Sequence, residues 1–355
     1  MIVRNEAHHL PDCLRSIAGL VDEIVIVDTG STDATIDIAR SFGATVVESV
    51  WQGDFAAPRN LSLDHCRAEW ILYIDADERL EGIGRAQLAA ALSDGRHVCY
   101  RTWLRPRVGY TPYLEYRLFR NDPRIRFRSK IHESMVSEIK AVALSDGLEI
   151  GVLDAVLEHI GYEGDQSAKH RRNLPLLREQ IVHSPHRIFL WWHLGHVLEG
   201  LGEVEEAEAA WTHGVELARR EVDGTTDAMP YLSLIGSRID RGEDAGELLA
   251  DAKRRFPTNY YLHFLDARQL MAEKRFAEAL KPLLMLAAID GETYRDEQCA
   301  YNMLLFGLPT YEALATCYFR LGNFVESARW YARAEEVAPE RADLRAKRVV
   351  AAARA

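Results

Sequence analysis

The chain has 355 residues, of which 48% are hydrophobic and 27% charged, and a formal charge of −11. This is an ordinary globular composition, long enough for about two domains, and it excludes a disordered tail, a collagen-like fibre and a small disulfide scaffold. The acidic balance argues against a chain-wide electrostatic hold on nucleic acid or anionic membrane, and no run approaches the roughly 18 apolar residues of a membrane span.

The N-terminal stretch Met1-Ile2-Val3-Arg4-Asn5-Glu6 has no basic region followed by an apolar run, so a signal peptide is not expected. The five scattered cysteines (Cys13, Cys66, Cys99, Cys299, Cys317) form no C-x-x-C pair and read as free thiols, in keeping with a cytoplasmic protein. Only Met1, Ile2 and Val3 precede Asn5, so either the first strand is stubby or the native start lies upstream. Residues 22–28 (DEIVIVD) form a β-branched run too short for a helix. Ser31, Thr32 and Asp33 then offer N-caps to a helix over about 33–42, and Gly43 ends it. A second strand is expected at 45–48, a helix at 55–67 and a third, buried strand at 70–75 (WILYID). Strands alternating with helices favour an α/β fold with a mostly parallel sheet. From about His97 to Ile160 the pattern changes to short strands and arginine-rich loops.

From about Ala168 the chain reads as nearly all helix, and it repeats. Trp191, Leu194, Gly195, Leu198, Gly202, Ala207 and Trp211 are followed 120 residues later by Tyr311, Leu314, Ala315, Tyr318, Gly322, Ser327 and Tyr331. Both sets match the spacing of the 34-residue tetratricopeptide pattern, and weaker copies lie at 231–257 and 263–286. Four helix pairs stacked into a short solenoid are expected, because each hairpin has an apolar face that only a neighbour can bury. A plain helical bundle is the alternative.

Asp75-Ala76-Asp77-Glu78 directly follows the strand-like WILYI. Ligands of open α/β sheets bind at the carboxyl ends of strands, and two carboxylates spaced i, i+2 there suit a hard divalent cation. Such a triplet alone also fits a solvated turn. Here it comes fourth in a series, after Val3-Arg4-Asn5-Glu6, Ile26-Val27-Asp28-Thr29-Gly30-Ser31-Thr32-Asp33 and Asp54-Phe55-Ala56-Ala57-Pro58-Arg59-Asn60. With these motifs in this order the chain resembles the family 2 glycosyltransferases of the GT-A fold, and more narrowly bacterial members with tetratricopeptide-like repeats after the catalytic domain. It is also similar to peptide S-glycosyltransferases and to some lipopolysaccharide-core transferases. The resemblance implies a catalytic domain over 1–165 and a repeat domain over 166–355.

The resemblance further implies a UDP-sugar donor, Mn²⁺ or Mg²⁺, and inversion at the anomeric carbon. By matched motif, Asp28 is expected on the uracil or ribose, with Asn5 and Glu6 lining the same cleft and Arg59 reaching the uridine or pyrophosphate. Asp75 is expected on ribose or a metal-bound water, Asp77 as direct metal ligand, and His159 as a late histidine ligand. Arg117 matches the arginine of the family's R-L-F segment. Glu133 is the candidate base, with His132 orienting it or touching the diphosphate. Each residue has a structural alternative: Asp28 as a helix cap, Arg59 as an ion-pair partner, Glu6 as a complement to a helix dipole, the two histidines as buried core residues.

Residues 101–130 hold nine basic side chains against Glu115 and Asp122. The contrast with an acidic chain favours an anion-facing wall, to which guanidinium forks are suited. The acceptor is expected to be a peptide or protein side chain, and the repeat domain to select it or to pair with a second copy of the chain. Two alternatives stay open: a transferase acting on a lipopolysaccharide-core or lipid-linked saccharide, and a non-catalytic repeat scaffold with a degenerate transferase domain.

Overall fold

The computed structural model describes residues 1–161, 167–220 and 228–355. These form two compact units, one of residues 1–108 and 112–183, the other of residues 109–111 and 184–355. The boundary expected at 165/166 lies outside the described residues, and the helix Ser167–His183 belongs to the first unit. Among the described residues no helix is long and apolar enough to cross a membrane. The five cysteines are free.

In the first unit the β-branched run becomes strand β2 (Val25–Asp28), all four of whose residues are buried. Such a continuous apolar run is what a strand covered on both faces requires. It pairs in parallel with β1 (Ile2–Val3) on one side and with β3 (Thr45–Glu48) on the other. Helix α1 (Leu10–Ile17) lies between β1 and β2 in sequence and buries Leu10, Cys13, Leu14 and Ile17. Helix α2 (Thr35–Ser41) starts where Asp33 Oδ1 accepts the Thr35 N–H at 3.0 Å, and Gly43 follows its end at φ 76°. Asp54 Oδ1 likewise accepts the Ala57 N–H at the start of α3 (Ala56–His65).

Parallel pairing stops there. The remaining strands, β4 (Trp70–Leu72), β5 (Glu78–Glu81), β6 (His97–Arg105), β7 (Tyr113–Arg120) and β8 (Glu149–His159), form a second sheet in the order β4-β7-β6-β8-β5. Only β6 and β8 run parallel in it. The expected mostly parallel sheet is thus divided, because β6 and β7 follow each other across a short connection and pair antiparallel. Helices α4 (Arg85–Leu92), α5 (Val136–Asp146) and α6 (Ser167–His183) complete the unit.

The second unit contains the four expected helix pairs: α7 (Ile188–Gly200) with α8 (Val204–Arg220), α9 (Ala228–Asp240) with α10 (Gly246–Arg255), α11 (Tyr260–Ala272) with α12 (Phe276–Ala287), and α13 (Leu308–Arg320) with α14 (Phe324–Val337). Helix α15 (Ala342–Ala352) follows. Within the pairs the repeat positions are packing positions. Gly195 lies against the indole of Trp211, which is 1% exposed and donates to Trp192 O at 3.2 Å. In the last pair Ala315 stands where Gly195 does, and its carbonyl accepts from the fully buried Ser327 hydroxyl at 2.9 Å. The turns share a left-handed residue: Gly202, Gly242 and Gly322 at φ 87°, 72° and 78°, and Lys274 at φ 62° where no glycine stands.

Candidate active site

The site is built where β4 runs out. Beyond Leu72 the chain continues through Tyr73 and Ile74 into a turn in which the Glu78 N–H donates to Asp75 O at 3.1 Å. The Glu78 side chain returns to accept the Asp75 N–H at 2.9 Å. Strand β5 then starts at Glu78 and pairs with β8 in the register that sets Glu78 opposite His159. One step further on, the Ile160 N–H donates to Asp77 O at 3.0 Å. Sheet register therefore brings together two side chains 82 residues apart: His159 Nε2 lies 3.0 Å from Asp77 Oδ2.

The other imidazole nitrogen, Nδ1, lies 3.1 Å from Pro106 O. A carbonyl only accepts, so Nδ1 carries a proton and Nε2 is the nitrogen turned to Asp77. Burial would lower the pKa of His159, but the hydrogen bond and charge of Asp77 outweigh it and raise it. Both residues line a cleft of about 250 Å³, with Glu6, Arg59, Asp75 and Arg172 among its other walls. The Glu6 carboxyl is pushed up to about 7 by burial and by the nearby charge of Asp77.

Asp77 and His159 fit a divalent cation. Hard cations in phosphate-handling sites are commonly held by one or two protein groups and complete their shell with phosphate and water oxygens. Among the described residues no group of three or more His, Cys, Asp or Glu side chains converges into a fuller cage. Asp75, expected beside Asp77 on the cation, lines the same cleft, but its carboxylate is taken up by an arginine. Arg59 Nη1 and Nη2 donate to its two carboxylate oxygens at 2.8 and 3.3 Å. Burial would raise its pKa, but the Arg59 charge and hydrogen bonds pull it down to about 2.

Arg59 is 8% exposed and is held on its far side by Glu133, whose Oε1 accepts from Nε at 2.5 Å. The expected base is thus bound to an arginine and is not among the residues that line the cleft. Its neighbour His132 adopts a left-handed backbone at φ 52° and is likewise not part of the cleft wall. Arg117, expected at the nucleotide sugar, is not among the residues that line the cleft. It is 6% exposed and forks Glu78 at 2.8 and 3.0 Å, so its charge is committed within the protein core. The Tyr73 ring takes the guanidiniums of both Arg59 and Arg117 at 4.5 Å.

Asp28 is 2% exposed. Its Oδ1 accepts the N–H groups of Gly30 and Ser31 at 2.9 and 2.8 Å, as a cap would. Its Oδ2 is buried with no hydrogen-bond partner among the described residues. An unmatched buried carboxylate oxygen is costly and calls for a donor from outside the protein. Asn5 stands beside the cleft in a left-handed conformation (φ 57°), and its Oδ1 accepts the Thr32 N–H at 2.7 Å.

The expected anion-facing wall at 101–130 is not formed. Arg105, Arg117, Arg120, Arg126, Arg128 and Lys130 pair with Glu158, Glu78, Glu69, Asp64, Glu138 and Glu179, and Arg124 with Asp122 and Asp146. Carboxylates from distant segments cancel the local excess. Beside Arg59, whose charge is met by Asp75 and Glu133, positive charge at the cleft comes from two arginines with no role assigned from the sequence. Arg4 and Arg172 line it, and the Arg172 pKa is lowered by burial and by the like charge of Arg4. Arg172 stands on α6, beyond the boundary that the sequence suggested, and the only signal for it was the Arg171-Arg172 pair.

The profile of Glycosyl transferase family 2 matches residues 1–144. A TPR repeat-containing protein of Synechococcus elongatus is 32% identical over 267 residues, 71% of this chain and 66% of that protein. The glycosyltransferase SunS from the SPbeta prophage of Bacillus subtilis is 27% identical over 216 residues, 58% of this chain and 50% of that one. The chain therefore spans between half and about two thirds of these curated relatives. A solved thermophilic TPR protein of Thermus thermophilus is 22% identical, covers 52% of this chain and 91% of its own, and superposes with a TM-score of 0.32. Residues 1–144 thus match glycosyl transferase family 2, and four helix pairs with tetratricopeptide-like spacing follow them in the chain.

Proposed function

We propose that the first unit transfers a sugar from a UDP-sugar to an acceptor with inversion, and that the acceptor is a peptide or protein side chain. The observation that carries this reading is the pairing of Asp77 with His159 on the wall of a cleft that Arg4 and Arg172 also line. Asp77 and His159 would hold Mn²⁺ or Mg²⁺, which when bound neutralises charge on the diphosphate. Arg4 and Arg172 face the same charge, and the Arg172 shift marks a cation that an anion would relieve. Asp28 Oδ2, buried with no hydrogen-bond partner among the described residues, accepts from the nucleoside. Such preorganised charge acts where the leaving group develops its own.

Inversion by single displacement requires a base for the acceptor proton. Glu133 fills that role only if Arg59 turns from it toward the diphosphate; otherwise it orients Arg59. The two roles separate in Glu133→Gln: loss of transfer with donor hydrolysis kept marks the base, and loss of both marks support of Arg59. The ion pairing of residues 101–130 weakens the support that this basic stretch lends to a lipopolysaccharide-core or lipid-linked saccharide as acceptor. The repeats offer a surface for an extended peptide, or for a second copy of the chain.

Calorimetry of UDP with and without Mn²⁺ tests the donor site. Binding that requires Mn²⁺ and disappears in Asp77→Ala is expected. A chain that binds no UDP with either cation would be a scaffold, and the proposal would fall.

A further inference from the structure

We infer that Gly161 is a positioning residue for the Asp77 carboxylate; the inference rests on the donor-site reading above. Gly161 follows His159 and Ile160 at the end of β8, and the reason for a glycine here is not its backbone. Its φ lies outside the left-handed region, so an L-residue could adopt the conformation. The reason is proximity. A Cβ placed on Gly161 would stand 1.9 Å from Asp77 Oδ2, 2.7 Å from Cγ and 3.0 Å from Cβ. The carboxylate occupies the space that any side chain at 161 would take.

The Asp77 backbone and the residue before Gly161 are held in place. The Ile160 N–H donates to Asp77 O at 3.0 Å, and the β5–β8 register holds Glu78 opposite His159. On its other side the Gly161 carbonyl accepts from Lys169 Nζ at 3.2 Å. With both strands pinned, a methyl group at 161 must be accommodated by the Asp77 side chain. The carboxylate then rotates away from His159 Nε2, now 3.0 Å distant, and the two groups proposed to hold the cation no longer converge. Gly161 touches no substrate; it acts through Asp77 by leaving room for it.

The test uses the full chain and two probes, Mn²⁺ alone and UDP in the presence of Mn²⁺, read by calorimetry. Gly161→Ala is expected to lower both affinities by about tenfold or more, the range seen when groups supporting a metal ligand are altered. Gly236→Ala, on α9 where an added Cβ meets nothing within 4 Å, is the control and should bind as wild type. Undiminished binding in Gly161→Ala overturns the inference and leaves the donor-site reading standing. Absence of Mn²⁺-dependent binding in the wild type overturns the donor-site reading and this inference with it. Should Gly161→Ala melt early, the double variant Asp77→Ala/Gly161→Ala decides. Recovery of the melting temperature on removing the carboxylate is expected, and a double variant that stays as unstable as Gly161→Ala overturns the inference.

Discussion

Glu78 is the most informative residue to remove, because it links the core to the site. Its side chain is 3% exposed and that of Arg117 8%, and their two hydrogen bonds are 2.8 and 3.0 Å. Glu78→Ala strands the Arg117 charge and leaves the Asp75 N–H without its acceptor. Breaking a buried pair from one side costs about 3–5 kcal/mol. The lost backbone acceptor belongs to the same network, so its cost is not simply added. For a unit of this size each kcal/mol lowers the melting temperature by roughly 2–4 °C, which gives a fall of roughly 6–20 °C. Differential scanning calorimetry of the full chain should show the fall in the transition of the first unit and none in that of the repeats. Glu78→Gln/Arg117→Met keeps an acceptor for Asp75 and removes both charges, so it should regain most of the loss. Arg124→Ala, in an exposed ion pair, should melt close to wild type. A shift below about 2 °C in Glu78→Ala would refute the claim that this pair is a buried structural charge.

Glu6 predicts a pH dependence. Its folded pKa of about 7 exceeds the ordinary 4.5, so the folded state binds the proton more tightly. Its stabilising contribution is complete below about pH 4.5 and is lost as the pH rises through 7; Glu6→Gln should flatten this part of the melting-temperature profile, and an unchanged slope would contradict it. Gly195→Ala places a Cβ 2.2 Å from Trp211 Nε1 and should destabilise the repeats by about 1–3 kcal/mol, seen as an earlier repeat transition. Lys274→Gly relieves a left-handed lysine at φ 62° and should raise the repeat transition by up to about 1 kcal/mol, partly offset by the greater freedom of glycine in the unfolded chain. A lower midpoint would show that Lys274 is needed for its side chain.

Strand β2, helices α2 and α3 and the four helix pairs were legible in the sequence because each has a local cause. β-branched runs, a capping aspartate, a terminating glycine and a 34-residue period are all contained in short windows. The second sheet was harder to read. Glu78-Arg79-Leu80-Glu81 has too many charges to suggest a strand, yet in β5 the apparent excess is consumed by Arg117 and by pairing with β8. The same cause hid the fate of the basic stretch. A local count shows nine cations, but the carboxylates that meet them come from 39 to 62 residues away for Arg105, Arg117, Arg120 and Arg126. At the site, motif order drew attention to Asp75 and Asp77 alike. Both line the cleft; which of them is neutralised depends on where Arg59 points, and Arg59 is also held by Glu133, 74 residues after it.

Because β8 ends at His159, with Ile160 and Gly161 directly after it, the cleft is among the last parts of the first unit to leave the ribosome. A nascent chain released at residue 144, where the family profile ends, would already contain the whole acidic turn. It would lack the strand that flanks both β5 and β6, and so would expose two unpaired edges. Formation of the cleft is in this way tied to completion of the sheet: a truncated product has the turn that carries Asp77 but not the strand that brings His159 to it.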